Sequence, residues 1–151
     1  IPCKLMMVGE GPEKIKAIEY VEKAGLEEKI LFLGNSNEID KILCYSDLFL
    51  LPSEKESFGL SALEAMAHGV PVISSNTGGL PEVNKEGYSG YLYSIGDLDS
   101  MAAGARDLLL NEELHGQFKK QAKKQASLFS LEKIIGKYET IYSDAIASIK
   151  F

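Results

Sequence analysis

Cysteine and histidine are scarce in this chain, with two residues of each. Cys3 and Cys44 show no Cys-x-x-Cys spacing and have no histidine cluster beside them, so neither a zinc site nor a redox pair is expected. Their apolar strand and helix contexts read instead as buried free thiols. Basic charge is also short. Sixteen Lys and Arg against 22 Asp and Glu leave a net charge of −6 and a pI near 5.0, which argues against a dedicated nucleic-acid binder and against an electrostatic hold on anionic membrane. No stretch approaches the roughly 18 apolar residues of a membrane helix, and no secretory signal pattern is present, so a cytoplasmic location is expected. The full Gly-x-Gly-x-x-Gly fingerprint is missing as well. Gly9-Glu10-Gly11-Pro12 supplies a lone Gly-x-Gly, too little for a nicotinamide site and equally a plain helix start.

What is present is an alternation of apolar runs and helical patterns in the manner of βαβ units. At 151 residues the chain has the length of one domain with a core of normal size. Strands are expected near 4–8, 30–33, 48–51, 71–74 and 91–93, and helices near 13–25, 37–45, 60–68 and 98–110. Gly25 is placed to end the first helix as a left-handed cap, Ser36 or Asn37 to cap the second, and His68-Gly69 to close the third. Right-handed crossovers then give an α/β fold, a Rossmann-like parallel sheet with helices on both faces. Residues 111–129 read as a polar helix whose Lys119, Lys120, Lys123 and Lys124 form a solvated face. Ser130 is placed to cap a last helix in which Leu131, Ile134, Ile135, Tyr138, Ile141, Tyr142, Ala145, Ile146 and Ile149 recur at helical spacing. Part of that stripe is expected to pack on this same domain.

The chemistry concentrates in residues 53–82. Glu56 and Glu64 stand eight positions apart around a strand-to-helix turn that follows the apolar run Leu48-Phe49-Leu50-Leu51. Ligands of open α/β sheets bind at that carboxyl edge. The backbone N–H groups of Ser57, Phe58, Gly59 and Leu60 at the helix start are expected to be unpaired, with the positive end of the helix dipole behind them, and thus able to hold phosphate or sugar hydroxyls. A carboxylate accepts from both hydroxyls of a vicinal diol, which suits Glu64 to a ribose and Glu56 to a hexose. On spacing alone, an exposed loop acid and an ordinary helix-surface glutamate is the better reading. Gly34-Asn35-Ser36-Asn37 also falls at the ligand edge, where a plain turn is nearly as good an account. Lys55 reads as a solvated loop lysine, and neither His68 nor His115 has an evident partner for acid–base work.

Glu-x7-Glu enclosing Phe58-Gly59-Leu60, followed by Leu63-Glu64-Ala65-Met66-Ala67-His68-Gly69-Val70-Pro71-Val72-Ile73 and Thr77-Gly78-Gly79-Leu80-Pro81-Glu82-Val83, closely resembles the retaining glycosyltransferases of family 4. Leu5-Met6-Met7-Val8-Gly9-Glu10-Gly11-Pro12-Glu13, Ile30-Leu31-Phe32-Leu33-Gly34 and Gly87-Tyr88-Ser89-Gly90-Tyr91-Leu92 extend the likeness over essentially the whole chain. The resemblance implies the C-terminal, nucleotide-sugar-binding half of a two-domain GT-B enzyme. Residues 1–129 would be the donor-binding domain without its first strand and helix, and 130–151 a helix reaching toward a missing N-terminal domain. It further implies a catalytic Glu56 and a donor site made by Gly34, Asn35, Ser57, Phe58, Gly59, Leu60 and Glu64. The loop at Gly34-Asn35 would lie against the nucleobase, and Thr77-Gly78-Gly79 would face the sugar and acceptor. No metal and no cofactor are expected; the donor is a UDP-sugar.

Ser53-Glu54-Lys55-Glu56-Ser57-Phe58-Gly59-Leu60, Ser74-Ser75-Asn76-Thr77-Gly78-Gly79-Leu80-Pro81-Glu82-Val83-Asn84 and Tyr138-Glu139-Thr140-Ile141-Tyr142 carry a narrower likeness. They resemble the branch of that family joining N-acetylglucosamine to L-malate in bacillithiol biosynthesis. UDP-N-acetylglucosamine is then the expected donor and L-malate the expected small-molecule acceptor. The opening Ile1-Pro2 reads as the start of an excised fragment. By the resemblance, the Arg and Lys that grip the diphosphate would precede it, so residues 1–151 alone are expected to be inactive and to self-associate through the last helix. A homodimer of the parent enzyme is compatible with all of this. Three rival readings stay open: a family 4 transferase with a polysaccharide or lipid acceptor, a non-catalytic sugar-nucleotide binding module, and an epimerase of the same fold.

Overall fold

The computed structural model describes residues 2–148. Ile149, the last member of the C-terminal apolar stripe, lies outside them. The chain divides into two compact units, one ending at Ile42 and the other beginning at Leu43.

In the first unit, strand β1 (Leu5–Val8) pairs in parallel with β2 (Ile30–Gly34), with Leu5 opposite Ile30 and Met7 opposite Phe32. Helix α1 (Lys14–Lys23) makes the crossover between them. It stops where expected. Gly25 N–H donates to the Glu22 carbonyl and Leu26 N–H to the Val21 carbonyl, the pair of bonds that closes a helix end at a left-handed residue. Helix α2 (Ile39–Cys44) begins after Ser36, whose hydroxyl accepts from Glu38 N–H at 3.1 Å.

The second unit holds β3 (Phe49–Leu51), β4 (Val72–Ser75) and β5 (Gly90–Tyr93) in a parallel sheet of that order. The parallel pairing expected of βαβ units is therefore present in both units, carried by two sheets. Helix α3 (Leu60–Ala67) joins β3 to β4 and ends at His68-Gly69 as expected, with Val70 N–H donating to the Ala65 carbonyl at 2.9 Å. A short helix that the sequence pattern did not reveal, α4 (Leu80–Val83), follows β4 with Pro81 in its first turn. Helix α5 (Leu98–Leu110) is capped by Asp97, and α6 (Glu112–Ala126) by Asn111, whose side-chain oxygen accepts from Leu114 N–H at 3.0 Å. A 3-10 turn (Ser127–Phe129) then leads into α7 (Leu131–Ser148), and the Ser130 carbonyl takes the first helical bond from Ile134 N–H.

Helices cover both faces of the three-stranded sheet. Leu50 and Ile73 share one face, where they enclose a small apolar cavity of about 170 Å³ with Leu98, Met101, Ala102 and Ala105 of α5. Alternation turns Ser74 to the opposite face, and there it meets Asn84 at the end of α4. The core of the unit is Met66, Val70, Val72, Ile73, Leu80, Val83 and Leu108, all at most 1% exposed.

Two expectations fail on burial. Cys3 and Cys44 are exposed. Cys3 precedes a strand that is itself open to solvent, and α2 turns only Leu43 inward, leaving Cys44 outside. Nor does the C-terminal stripe pack on its own domain. No residue of α7 is buried, and Leu131, Tyr138, Ile141, Tyr142 and Ile146 are 56–73% exposed. The helix packed on α3 is α6, which buries Phe118, Ala122 and Ala126.

Candidate functional site

Glu56 lies in the loop after β3, five residues beyond its last residue, and Glu64 lies one turn into α3. The loop is built around the first carboxylate. Glu56 Oε1 accepts hydrogen bonds from Ser57 N–H at 3.1 Å and from Gly59 N–H at 3.2 Å. Two of the four donors expected to stand open at the helix start are thus held by the loop's own glutamate, whose flexible carboxylate folds back on the N–H groups leading into the helix. Among the described residues Oε2 takes no hydrogen bond, so the clamp fixes one oxygen and presents the other. Glu56 itself is half-buried.

A second loop supports the first from behind. Thr77, Gly78 and Gly79 follow β4, and the two glycines press directly on the glutamate loop: a Cβ on Gly78 would stand 1.6 Å from the Glu56 carbonyl oxygen, and one on Gly79 would stand 2.8 Å from Phe58 Cα and from the Ser57 carbonyl oxygen. Thr77 Oγ1 adds a long bond to the Glu54 carbonyl at 3.4 Å. Gly59 begins α3 at φ +95°, where a side chain would be strained and would also meet Leu80 at 2.8 Å. The small residues of 77–79, expected to face sugar and acceptor, are small first because backbone meets backbone there.

Behind both loops, on the Ser74 face of the sheet, lies a buried polar pin that sequence reasoning missed. Asn84 Nδ2 donates to the Val72 carbonyl, to Ser74 Oγ and to the Tyr91 carbonyl at 3.1–3.3 Å. Ser89 Oγ donates back to Asn84 Oδ1 at 3.0 Å and accepts from Lys85 N–H at 2.8 Å. Asn84 and Ser89 are fully buried, and the pin joins β4 to β5 below the site. The side chain of Asn84 reaches partners seven to twelve residues away, in two strands, which no local pattern announces.

Glu64 is exposed and lines an open cavity of about 420 Å³ with Leu63, Lys123, Ser127, Phe129 and Ser130. Its backbone carbonyl accepts from His68 N–H and from His68 Nδ1–H at 3.0 Å. The His115 ring likewise donates to a backbone carbonyl, that of Asp47, at 2.7 Å. Both histidines are thus engaged structurally. Lys55 is exposed, in keeping with a solvated lysine.

Of the remaining candidates, Ser57, Phe58, Gly59 and Leu60 stand together at the start of α3 with Glu56. Gly34 and Asn35 close β2 in the other unit, where Gly9 N–H donates to the Gly34 carbonyl at 2.7 Å and the Glu10 carboxylate, paired with Lys14 at 2.6 Å, lies over Gly34. Among the described residues no three of His, Cys, Asp and Glu converge in a way that could hold a metal ion. None of the described helices is long and apolar enough to cross a membrane.

Comparison of the sequence with known proteins gives the family of the chain that carries this arrangement. Residues 1–125 match the family described as glycosyl transferases group 1. The chain belongs to that family. Among curated members, the chain is 44% identical over 151 residues to the N-acetyl-alpha-D-glucosaminyl L-malate synthase of Bacillus anthracis, covering 99% of this chain and 40% of that protein. It is 34% identical over 129 residues to the D-inositol 3-phosphate glycosyltransferase of Corynebacterium glutamicum, covering 84% and 31%. Among solved structures, the Anabaena protein HepE in complex with UDP superposes with a TM-score of 0.86 at 25% identity over 94% of this chain and 41% of that one. This group 1 glycosyl transferase chain therefore has the α/β architecture of the GT-B enzymes, and it spans well under half the length of the relatives it matches.

Proposed function

We propose that this chain is the donor-binding half of a retaining hexosyltransferase that moves N-acetylglucosamine from UDP-N-acetylglucosamine to L-malate, without a metal or a cofactor. The observation that carries the reading is the Glu56 clamp. Two backbone donors hold Oε1 in place and leave Oε2 to act on a ligand at the carboxyl edge of the sheet. The relative at 44% identity supports N-acetylglucosamine and malate over other substrates. The structures solved with UDP and with UDP-glucose support a uridine nucleotide sugar.

In this reading, Oε2 of Glu56 orients the hexose hydroxyls and stabilises the positive charge that develops on the sugar ring as the diphosphate leaves. Glu64 takes the ribose diol. The Phe58 and Leu60 N–H groups, with the start of α3 behind them, face the donor. The exposed α7 reaches toward a partner domain that supplies the acceptor site and the cations for the diphosphate. Residues 1–151 alone then turn over no substrate, and the enzyme acts in the cytoplasm on small molecules.

The test is UDP release by the full-length protein given UDP-N-acetylglucosamine, with and without L-malate. Malate-dependent release is expected. Glu56→Ala should lower kcat by about 100-fold or more. Glu64→Ala should chiefly raise the KM for the donor, by about tenfold, the loss of a charge-assisted hydrogen bond. Equal losses of kcat in both variants would count against these roles. Release indifferent to malate would leave the transferase and reopen the acceptor. No release with any sugar nucleotide would favour a binding module.

A further inference from the structure

We propose that Phe129 is a positioning residue for the Glu56 carboxylate, joining the Glu64 cavity and the root of α7 to the glutamate loop. The proposal deepens the transferase reading and rests on it for its effect on turnover. Phe129 closes the 3-10 turn between α6 and α7, and its ring meets that of Phe58 edge-on, with centroids 6.0 Å apart and planes at 77°. The same ring lines the cavity that holds Glu64. Phe58 is the residue between the two N–H donors that clamp Glu56 Oε1, so any rotation of the chain at Phe58 pulls the Ser57 and Gly59 donors apart.

The peptide units from Ser57 to Gly59 are gripped on two sides. On the backbone side Gly79, the residue that starts α4, abuts Phe58 Cα, and its neighbour Leu80 is fully buried. On the ring side the grip is Phe129. It follows α6, which is tied to α4 by Gln125 Nε2 donating to the Val83 carbonyl at 3.2 Å and in which Ala122 and Ala126 are buried. Beyond Phe129 comes a helix with no buried residue, so the ring contact with Phe58 links the root of α7 to the glutamate loop. Phe129 also lies past the stretch that matches the family, residues 1–125. Its role follows from this chain's own geometry.

The experiment is site-resolved amide hydrogen exchange on the full-length protein, paired with steady-state kinetics, for Phe129→Ala, Phe129→Leu and Phe129→Tyr. In Phe129→Ala, exchange at Ser57 and Gly59 should rise by about threefold to tenfold, the range an edge-to-face aromatic pair commands, while the Val72 to Ser75 amides keep their protection. Phe129→Leu should give a smaller rise and carries the test if the alanine variant does not fold; Phe129→Tyr should restore the wild-type pattern. In the alanine and leucine variants kcat should fall in proportion to the rise in exchange, with the donor KM little changed, and Phe129→Tyr should keep the wild-type kcat. Unaltered exchange at Gly59, or a rise spread evenly over the whole unit, overturns the proposal. A wild-type protein that transfers no sugar would defeat the transferase reading, and the exchange data would still decide whether Phe129 holds the loop.

Discussion

Strands β1 and β4 are of equal length and both pair in parallel, yet the more hydrophobic of the two is the more exposed. Leu5-Met6-Met7-Val8 is wholly apolar, and Leu5, Met7 and Val8 are 39–42% exposed. Val72-Ile73-Ser74-Ser75 is half serine and entirely buried. The difference lies in the neighbours. β4 has a strand on each edge and helices α3 and α5 against it, whereas β1 pairs only with β2 among the described residues. Burial of a serine is tolerable where a partner meets it, as Asn84 meets Ser74; Ser75 Oγ is the exception, buried with no partner among the described residues. An apolar strand run thus reports what a segment needs, and the surrounding elements decide whether it is met.

Substitution should expose that contrast most sharply at matched apolar positions. Ile73→Ala removes a side chain enclosed between β3, β4 and α5 and should cost about 3 kcal/mol of unfolding free energy, while Met7→Ala, at a position 40% exposed, should cost less than about 0.5 kcal/mol. Denaturant unfolding of both variants measures the two values, and similar losses would break the comparison. Next in size is Asn84→Ala, which strands the Ser89 and Ser74 hydroxyls in a closed interior and should cost about 2 kcal/mol, read as a lower unfolding midpoint at unchanged slope.

The smallest effect concerns pH. Burial first, and then the negative charge of Glu86 with lesser contributions from Tyr91, Asp107 and Asp97, raises the Tyr93 phenol above its ordinary value of 10.0. A raised acid keeps its proton longer in the folded chain, so the stability it lends is complete below the unfolded value and is lost as pH climbs through the folded one. Tyr93→Phe should therefore show a gentler fall in stability above pH 10 than the parent chain, measured as unfolding midpoint against pH. An identical slope in both would remove Tyr93 from the account of that edge of the sheet.

Much of this was legible in the sequence because it is local. The caps at Gly25, Ser36, His68-Gly69 and Ser130 depend on residues within one turn, and the apolar runs mark all five strands to within a residue or two. The glutamate pair was legible as chemistry, though its spacing alone did not separate it from two ordinary surface acids. What stayed hidden depends on distant partners. Gly78 meets Glu56 across 22 positions of sequence, and Asn84 gathers three acceptors from two strands. Helix α4 escaped because four residues with a proline in the first turn show no period. The thiols of Cys3 and Cys44 were misjudged because apolar context marks a strand or helix without saying which side of it is covered.

The contact of Gly78 and Gly79 with the glutamate loop has a consequence for protein engineering. The segment 53–59 is no self-contained cassette, since its backbone is moulded against 77–80 and leaves no room there for even a methyl group. A chimera that receives the glutamates without the glycine loop inherits the letters of the motif and not its shape, and an insertion in either loop demands a matching change in the other. The two loops travel between scaffolds as a pair.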